Sequence, residues 1–227
     1  MKIFLAMPNL GEVSIGNVNN LLAWQHDPTL DIEFYMPDGI RPGATARNKC
    51  HKAFLESDCD VLFFLDERTV PMPWFLDKLL GYVNPEMTLH PRDMVAACVQ
   101  TYKAGTGGEP YLAPLGFRYN QESGGYQPEF GAALTEVHIA TCACTVIRRE
   151  VMATVERPAF IAKPLGEFGE TVMTCDFDFS EKVRAAGYRI WMDYGILCSH
   201  YQRLNVKTAN RMVRRTAKWA KGEKNDT

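Results

Sequence analysis

Five consecutive apolar residues, Val61-Leu62-Phe63-Phe64-Leu65, run straight into Asp66-Glu67-Arg68, and this stretch constrains the fold most. A run of branched, aromatic and aliphatic side chains with no polar alternation offers no face to water. It therefore reads as a strand buried on both sides, of the kind that sits in the middle of a parallel sheet. Pro71 and Pro73 stop the extended stretch. In open α/β sheets ligands collect beyond the carboxyl ends of the strands, which is where Asp66 and Glu67 fall. Asp is also a common turn residue after a strand, so its position alone does not make a site.

The segments on either side fit the same plan. Lys2 to Met7 is an apolar strand that turns at Pro8-Asn9-Leu10-Gly11. Asn17 to Trp24 has helical spacing, with Val18, Leu21 and Leu22 on one face. Asp31 to Met36 is a second strand closed by Pro37-Asp38-Gly39. A helix from Ala46 to Ser57 presents Ala46, Cys50, Ala53 and Phe54 inward, with Arg47, Asn48 and His51 near its start. An amino-terminal helix turn together with a guanidinium can hold an anion. Trp74 to Tyr82 is an amphipathic helix and Val95 to Gln100 a further strand. The order β-α-β-α-β-α-β predicts an α/β fold with a mostly parallel, doubly wound central sheet flanked by helices.

The second half is less regular. Thr101 to Phe130 is rich in glycine and tyrosine, and two readings stand: a substrate-covering flap, or a hairpin over Gly116 to Tyr126. Thr135 to Arg148 is a strand region in which Cys142 and Cys144 would share one face. Arg149 to Val155 is a short helix. The acidic pair Asp176-Phe177-Asp178 opens a helix from Phe177 to Ala186, with Asp176 at the N-cap position and Gly187 as its C′ glycine. Tyr188 to Met192 is a strand, and another apolar stretch ends at His200.

The tail from Asn205 to Lys221 has Val206, Ala209, Val213, Ala217 and Ala220 at helical spacing among lysines and arginines. It reads as a C-terminal basic helix, either a solvated face or a surface for DNA or an anionic membrane. The expected organisation is one domain over 1–204, with a nucleotide-binding half at 1–100 and an acceptor half at 101–204, followed by a basic tail at 205–227.

Composition sets the outer bounds. A chain of 227 residues with 46% hydrophobic and 23% charged side chains can bury a substantial core, and a net charge of −2 argues against general coating of nucleic acid. No apolar run reaches the length that spans a bilayer. The seven cysteines have no paired spacing, so they are expected as reduced thiols in a cytoplasmic protein.

Three blocks, Ala46-Arg47-Asn48, then FLDERTVP, then CDFDFSEKVRAAGYRIWMDYGILCSH, follow in an order that resembles the GT-A glycosyltransferases, in particular small family-2-like members. The resemblance covers Met1 to His200 and is most specific in the third block. It implies a Rossmann-like GT-A fold and transfer of a hexosyl or pentosyl group from a nucleotide-diphosphate sugar, a UDP- or GDP-sugar, to an acceptor hydroxyl. Asp66 would open the D-x-D motif that binds the donor, usually through Mn²⁺ or Mg²⁺. Asp176 would be the base that deprotonates the acceptor, which favours inversion, and Asp178 would hold the acceptor or tune Asp176. His200 would be a metal ligand together with Asp66 and Glu67. Arg47 and Asn48 would reach toward the nucleotide, with Pro8, Asn9 and Asp38 framing the base.

One position departs from the pattern. The third residue of D-x-D is Arg68, and a guanidinium cannot ligate a cation. Either Asp66, Glu67 and His200 keep a metal site, or Arg68 itself meets the leaving diphosphate and the reaction is metal-independent. The acceptor stays open between a hydroxylated DNA base, a glycan or lipid, and a protein. The rival functions are a degenerate nucleotide-sugar-binding module and a nucleotidyltransferase.

Overall fold

The computed structural model of the protein describes residues 1–104, 110–165 and 171–201. The first half runs β1 (Lys2–Ala6), α1 (Ile15–His26), β2 (Asp31–Tyr35), α2 (Gly43–Glu56), β3 (Val61–Leu65), β4 (Thr69–Val70), α3 (Phe75–Val83) and β5 (Met94–Ala104). The second half begins β6 (Pro110–Pro114), β7 (Gly116–Asn120), β8 (Gly125–Pro128), β9 (Leu134–Val137), β10 (Ile139–Ala140) and β11 (Cys144–Arg148). It continues α4 (Arg149–Thr154), β12 (Lys163–Leu165), β13 (Thr171–Met173), α5 (Cys175–Ala185) and β14 (Ile190–His200).

The main sheet has the order β2-β1-β3-β11-β5-β14-β4, with β6 added on β5 and β9 on β14. The β2, β1 and β3 strands are parallel, β5 and β14 are parallel, and β11 runs against both β3 and β5. The long strands therefore share one direction, and the inverted β11 sits among them. This is the mixed, mostly parallel α/β sheet flanked by helices that the sequence predicts.

Alternation along the strands sorts the core into two layers. Phe4, Ala6, Leu62 and Phe64 pack on one face against Cys50 and Phe54 of α2, Val151 and Met152 of α4, and Phe179 and Val183 of α5. Ile3, Leu5, Val61, Phe63 and Leu65 face the other way, toward Trp24 of α1 and Phe75, Leu76, Leu79 and Val83 of α3. All five residues of β3 are buried, as a strand covered on both faces requires.

Four expectations change. Of the apolar face of α1 only Leu21 packs on the core; Val18 and Leu22 are exposed, and the buried residues are Asn17, Asn20 and Trp24. The reason is polar: the amides of Asn17 and Asn20 are consumed by loop carbonyls described below. Cys142 and Cys144 lie in opposite core layers, because Cys142 belongs to the turn before β11 and the strand alternation begins only after it. Helix α5 starts at Cys175, with Thr174 at its N-cap, so Asp176 lies in the first turn and is not the cap. The last strand is longer than Tyr188–Met192: β14 runs to His200 through an irregularity between Asp193 and Leu197.

The glycine-rich stretch contains the hairpin: β7 pairs with β8, and Gly124 takes a positive φ of 64° in the turn. Gly187, with φ 89°, ends α5 as expected. The basic tail at 205–227 lies outside the described residues.

Candidate active site

Every element of the site comes from a carboxyl strand end or the helix turn facing it. The β1 and β2 ends are pinned together by a parallel bridge between Asn9 and Asp38. The Asn9 amide N–H donates to the Pro37 carbonyl, and Gly39 N–H donates back to the Asn9 carbonyl at 3.0 Å. The end of β3 is fixed from two sides. Asp66 N–H donates to the Ala143 carbonyl at 2.8 Å, from the turn before β11. From α1, Asn17 Nδ2 donates to the carbonyls of Asp66 (3.3 Å) and Glu67 (3.1 Å), while Asn20 Nδ2 donates to that of Pro71 at 2.9 Å. A polar stripe on a helix thus holds the loop that carries the acidic residues.

Between these strand ends opens a cavity of about 750 Å³, lined among others by Asn9, Arg41, Arg47, Asp66, Arg68 and His200. Pro8 and Glu67 also line it. So do Pro42, Gly43 and Ala46, from the amino end of α2 and the residue before it. Arg41 is a contributor that the sequence reading passed over. It stands in the loop before α2, where no periodicity marks a side chain's direction.

Arg47 is the centre of the arrangement. Its Nη2 lies 3.0 Å from Asp66 Oδ1 and 3.3 Å from Oδ2, and its Nε lies 3.3 Å from Asp176 Oδ1. Its Nη1 donates to the Cys142 carbonyl at 3.2 Å, and its guanidinium lies 5.4 Å from the centroid of the Phe64 ring. Burial alone would lower the Arg47 pKa, but Asp176 and Asp66 outweigh it and hold the value above the ordinary one. Burial pushes the Asp66 carboxyl up; Arg47 pulls it back and Asp176 pushes it further up. The two carboxylates that the sequence places in different blocks are thus joined by one side chain.

The remaining predicted residues divide. His200 lines the cavity, with Nδ1 3.0 Å from Thr69 Oγ1, and burial lowers its pKa against the opposing pull of Asp66. Glu67 pairs with Arg68 at 3.6 Å, and burial raises its carboxyl more than Arg68 lowers it. Asn48 turns away from the cavity: its Nδ2 donates to the Phe160 carbonyl at 2.8 Å, and its Oδ1 accepts from Phe160 N–H at 3.0 Å. Asp178 also faces elsewhere. It is buried between Lys163 Nζ and Lys182 Nζ, the latter at 2.8 Å, and accepts from Ile161 N–H at 3.2 Å. Neither lysine was marked by the sequence reading, since Lys182 reads as a solvated helix position.

A divalent cation needs several free oxygen ligands converging on one point. Both oxygens of Asp66 already meet Arg47, and Glu67 meets Arg68. Among the described residues, the set whose ligand atoms lie within 4.8 Å of one another is Glu33, Asp58 and Cys59, not Asp66, Glu67 and His200. The residues as placed do not make a cation site.

No family model matches the chain, and no curated protein matches it. Solved structures do. The crystal structure of A197 from STIV matches with a TM-score of 0.60 at 21% identity, covering 89% of this chain and 87% of that one. The crystal structure of S. aureus TarS matches with a TM-score of 0.52 at 12% identity, covering 96% of this chain but 39% of TarS. S. aureus TarS 1-349 in complex with UDP matches at 0.51 and 12%, covering 94% of this chain and 64% of that one. The chain therefore spans less than two thirds of the TarS chains it resembles. The shared feature is the fold, a mixed α/β sheet flanked by helices of the GT-A or Rossmann-like kind. No helix among the described residues is long and apolar enough to cross a membrane.

Proposed function

We propose that the chain is a glycosyltransferase that moves a sugar from a nucleoside-diphosphate donor to an acceptor hydroxyl with inversion at the anomeric carbon. The observation that carries this is the Arg47 bridge, which brings Asp176 of the third block to Asp66 at the wall of the cavity. The cavity beyond β1, β2 and β3 takes the donor, the nucleoside lying toward Pro8, Asn9 and Asp38. UDP in the TarS complex makes a uridine nucleotide the first to try.

In the step itself, the acceptor oxygen attacks the anomeric carbon while its proton passes to Asp176. The bond from that carbon to the diphosphate oxygen breaks, and the nucleoside diphosphate leaves with the electron pair. Among the described residues, Arg47 Nε and the Cys175 thiol both meet Asp176 at Oδ1. The Oδ2 atom is the one that would take the proton. Arg47 aims the carboxylate, and a general base must be held within hydrogen-bond reach of its proton. Asp178, bound by two lysines, supports the helix and does not hold the acceptor.

The test is a screen of UDP- and GDP-sugars for release of nucleoside diphosphate, with and without hydroxymethylated DNA, glycan or protein acceptors. Release that depends on Asp176 supports the proposal. Tight donor binding without any release would identify a binding module instead.

A further inference from the structure

We propose that this site grips the diphosphate of its donor with arginine side chains and the amino end of α2, and that it works without a divalent cation. The inference rests on the donor reading above and departs from the metal-bridged arrangement that the D-x-D resemblance implies. Its basis is the occupancy of the would-be ligands. Arg47 lies against both oxygens of Asp66, and that guanidinium is itself buried and held by Asp176 and the Cys142 carbonyl. A cation placed on Asp66 would have to displace a charge that four contacts keep in position. It would also enter beside Arg41, Arg47 and Arg68, three positive groups lining the same cavity as two acidic ones, Asp66 and Glu67.

The same surroundings suit an anion. Arg68, in the third position of the motif, is 43% exposed and loosely paired to Glu67 at 3.6 Å. Arg41 also lines the cavity and is exposed. Between them opens the start of α2, whose N-cap residue Pro42 makes no side-chain capping bond. The first-turn N–H groups of a helix attract phosphate oxygens through their orientation and the helix dipole. Planar guanidinium groups meet phosphate oxygens in pairs. A diphosphate would find Arg41 and Arg68 there, two guanidinium groups that neither Asp66 nor Asp176 holds. When the anomeric C–O bond breaks, the electron pair arrives on a phosphate oxygen that Arg41 and Arg68 can reach.

Calorimetric titration of the full chain, stripped with EDTA, tests this with UDP, GDP, CDP, ADP and inorganic pyrophosphate, each with and without Mn²⁺ or Mg²⁺. The expected result is that pyrophosphate and at least one nucleoside diphosphate bind in chelator, with a Kd within about threefold of the value in metal. Arg41→Gln and Arg68→Gln should each weaken that binding about tenfold or more. Arg41 is exposed and Arg68 half-buried, and unchanged circular dichroism and unfolding midpoints would show the variants intact. Binding that appears only when the cation is added overturns the inference and leaves the donor reading standing. Binding in chelator that neither substitution weakens also overturns it. Failure of every nucleoside diphosphate with and without metal removes both.

Discussion

Asp66 and Asp176, one after β3 and the other in the first turn of α5, are held by two nitrogens of a single guanidinium, Nη2 and Nε of Arg47. The bridge sets the separation of the two carboxylates. It makes the two acidic groups one unit, whose members should nonetheless fail in different ways.

Asp176→Asn keeps the size of the side chain and removes its basicity. Transfer should fall by about 100-fold or more, the range in which positioned general bases contribute. Affinity for UDP should change less than about threefold, because Asp66 still holds Arg47. Steady-state turnover and a UDP titration on the same preparation would check both. Near-normal turnover would remove Asp176 from the chemistry.

Arg47→Ala should be costly to the fold itself. It leaves two carboxylates partly buried and facing each other, and removing one partner of a buried ion pair costs about 3–5 kcal/mol. Urea unfolding would measure the loss. The deficit should shrink as the pH is lowered, because protonating one carboxyl of the variant relieves the repulsion. A deficit below about 1 kcal/mol would mean the pair is solvated like a surface bridge.

Asp178 gives a prediction in pH. Burial would raise its carboxyl, but Lys163 and Lys182 outweigh that and hold it below the ordinary 3.8. A folded pKa below the unfolded one means stabilisation that is complete above pH 3.8 and lost as the pH falls through the depressed value. Asp178→Asn should therefore cost about 1.5–3 kcal/mol at neutral pH, as loss of charge-assisted hydrogen bonds does. Wild type and variant should converge as the pH falls below the depressed value. A gap independent of pH would mean that packing, not charge, is what the substitution removes.

Asn17→Ala and Asn48→Ala form a contrasting pair. Each removes two hydrogen bonds to backbone and should cost about 1–3 kcal/mol. Only Asn17 fixes the Asp66–Glu67 loop, so only its variant should also weaken UDP. Comparing unfolding midpoints with nucleotide titrations separates the two. A fall in UDP affinity in Asn48→Ala alone would restore that residue to the donor site.

What could be read from the chain follows from where periodicity speaks. The continuous apolar run of β3 has one physical solution, and Asp66 follows from it. Arg47 was placed near the helix start, yet its second partner could not be foreseen, because nothing local connects it to Asp176. The apolar face of α1 was informative only at Leu21, which packs on the core while Val18 and Leu22 stay exposed. Beside Trp24 the buried face carries two amides, Asn17 and Asn20, held in hydrogen bonds to the Asp66–Pro71 carbonyls. The direction of β11 is equally silent in sequence, since an inverted strand buried on both faces carries the same apolar pattern as a parallel one.

That inverted strand has a consequence for how the protein is made. Until Cys144–Arg148 leaves the ribosome, β3 has a neighbour on one side only, β1. During that interval an apolar strand displays an unfilled row of amides and carbonyls, a template for pairing with another nascent copy. Chains cut short before residue 144 should be captured by chaperones or deposited as aggregates.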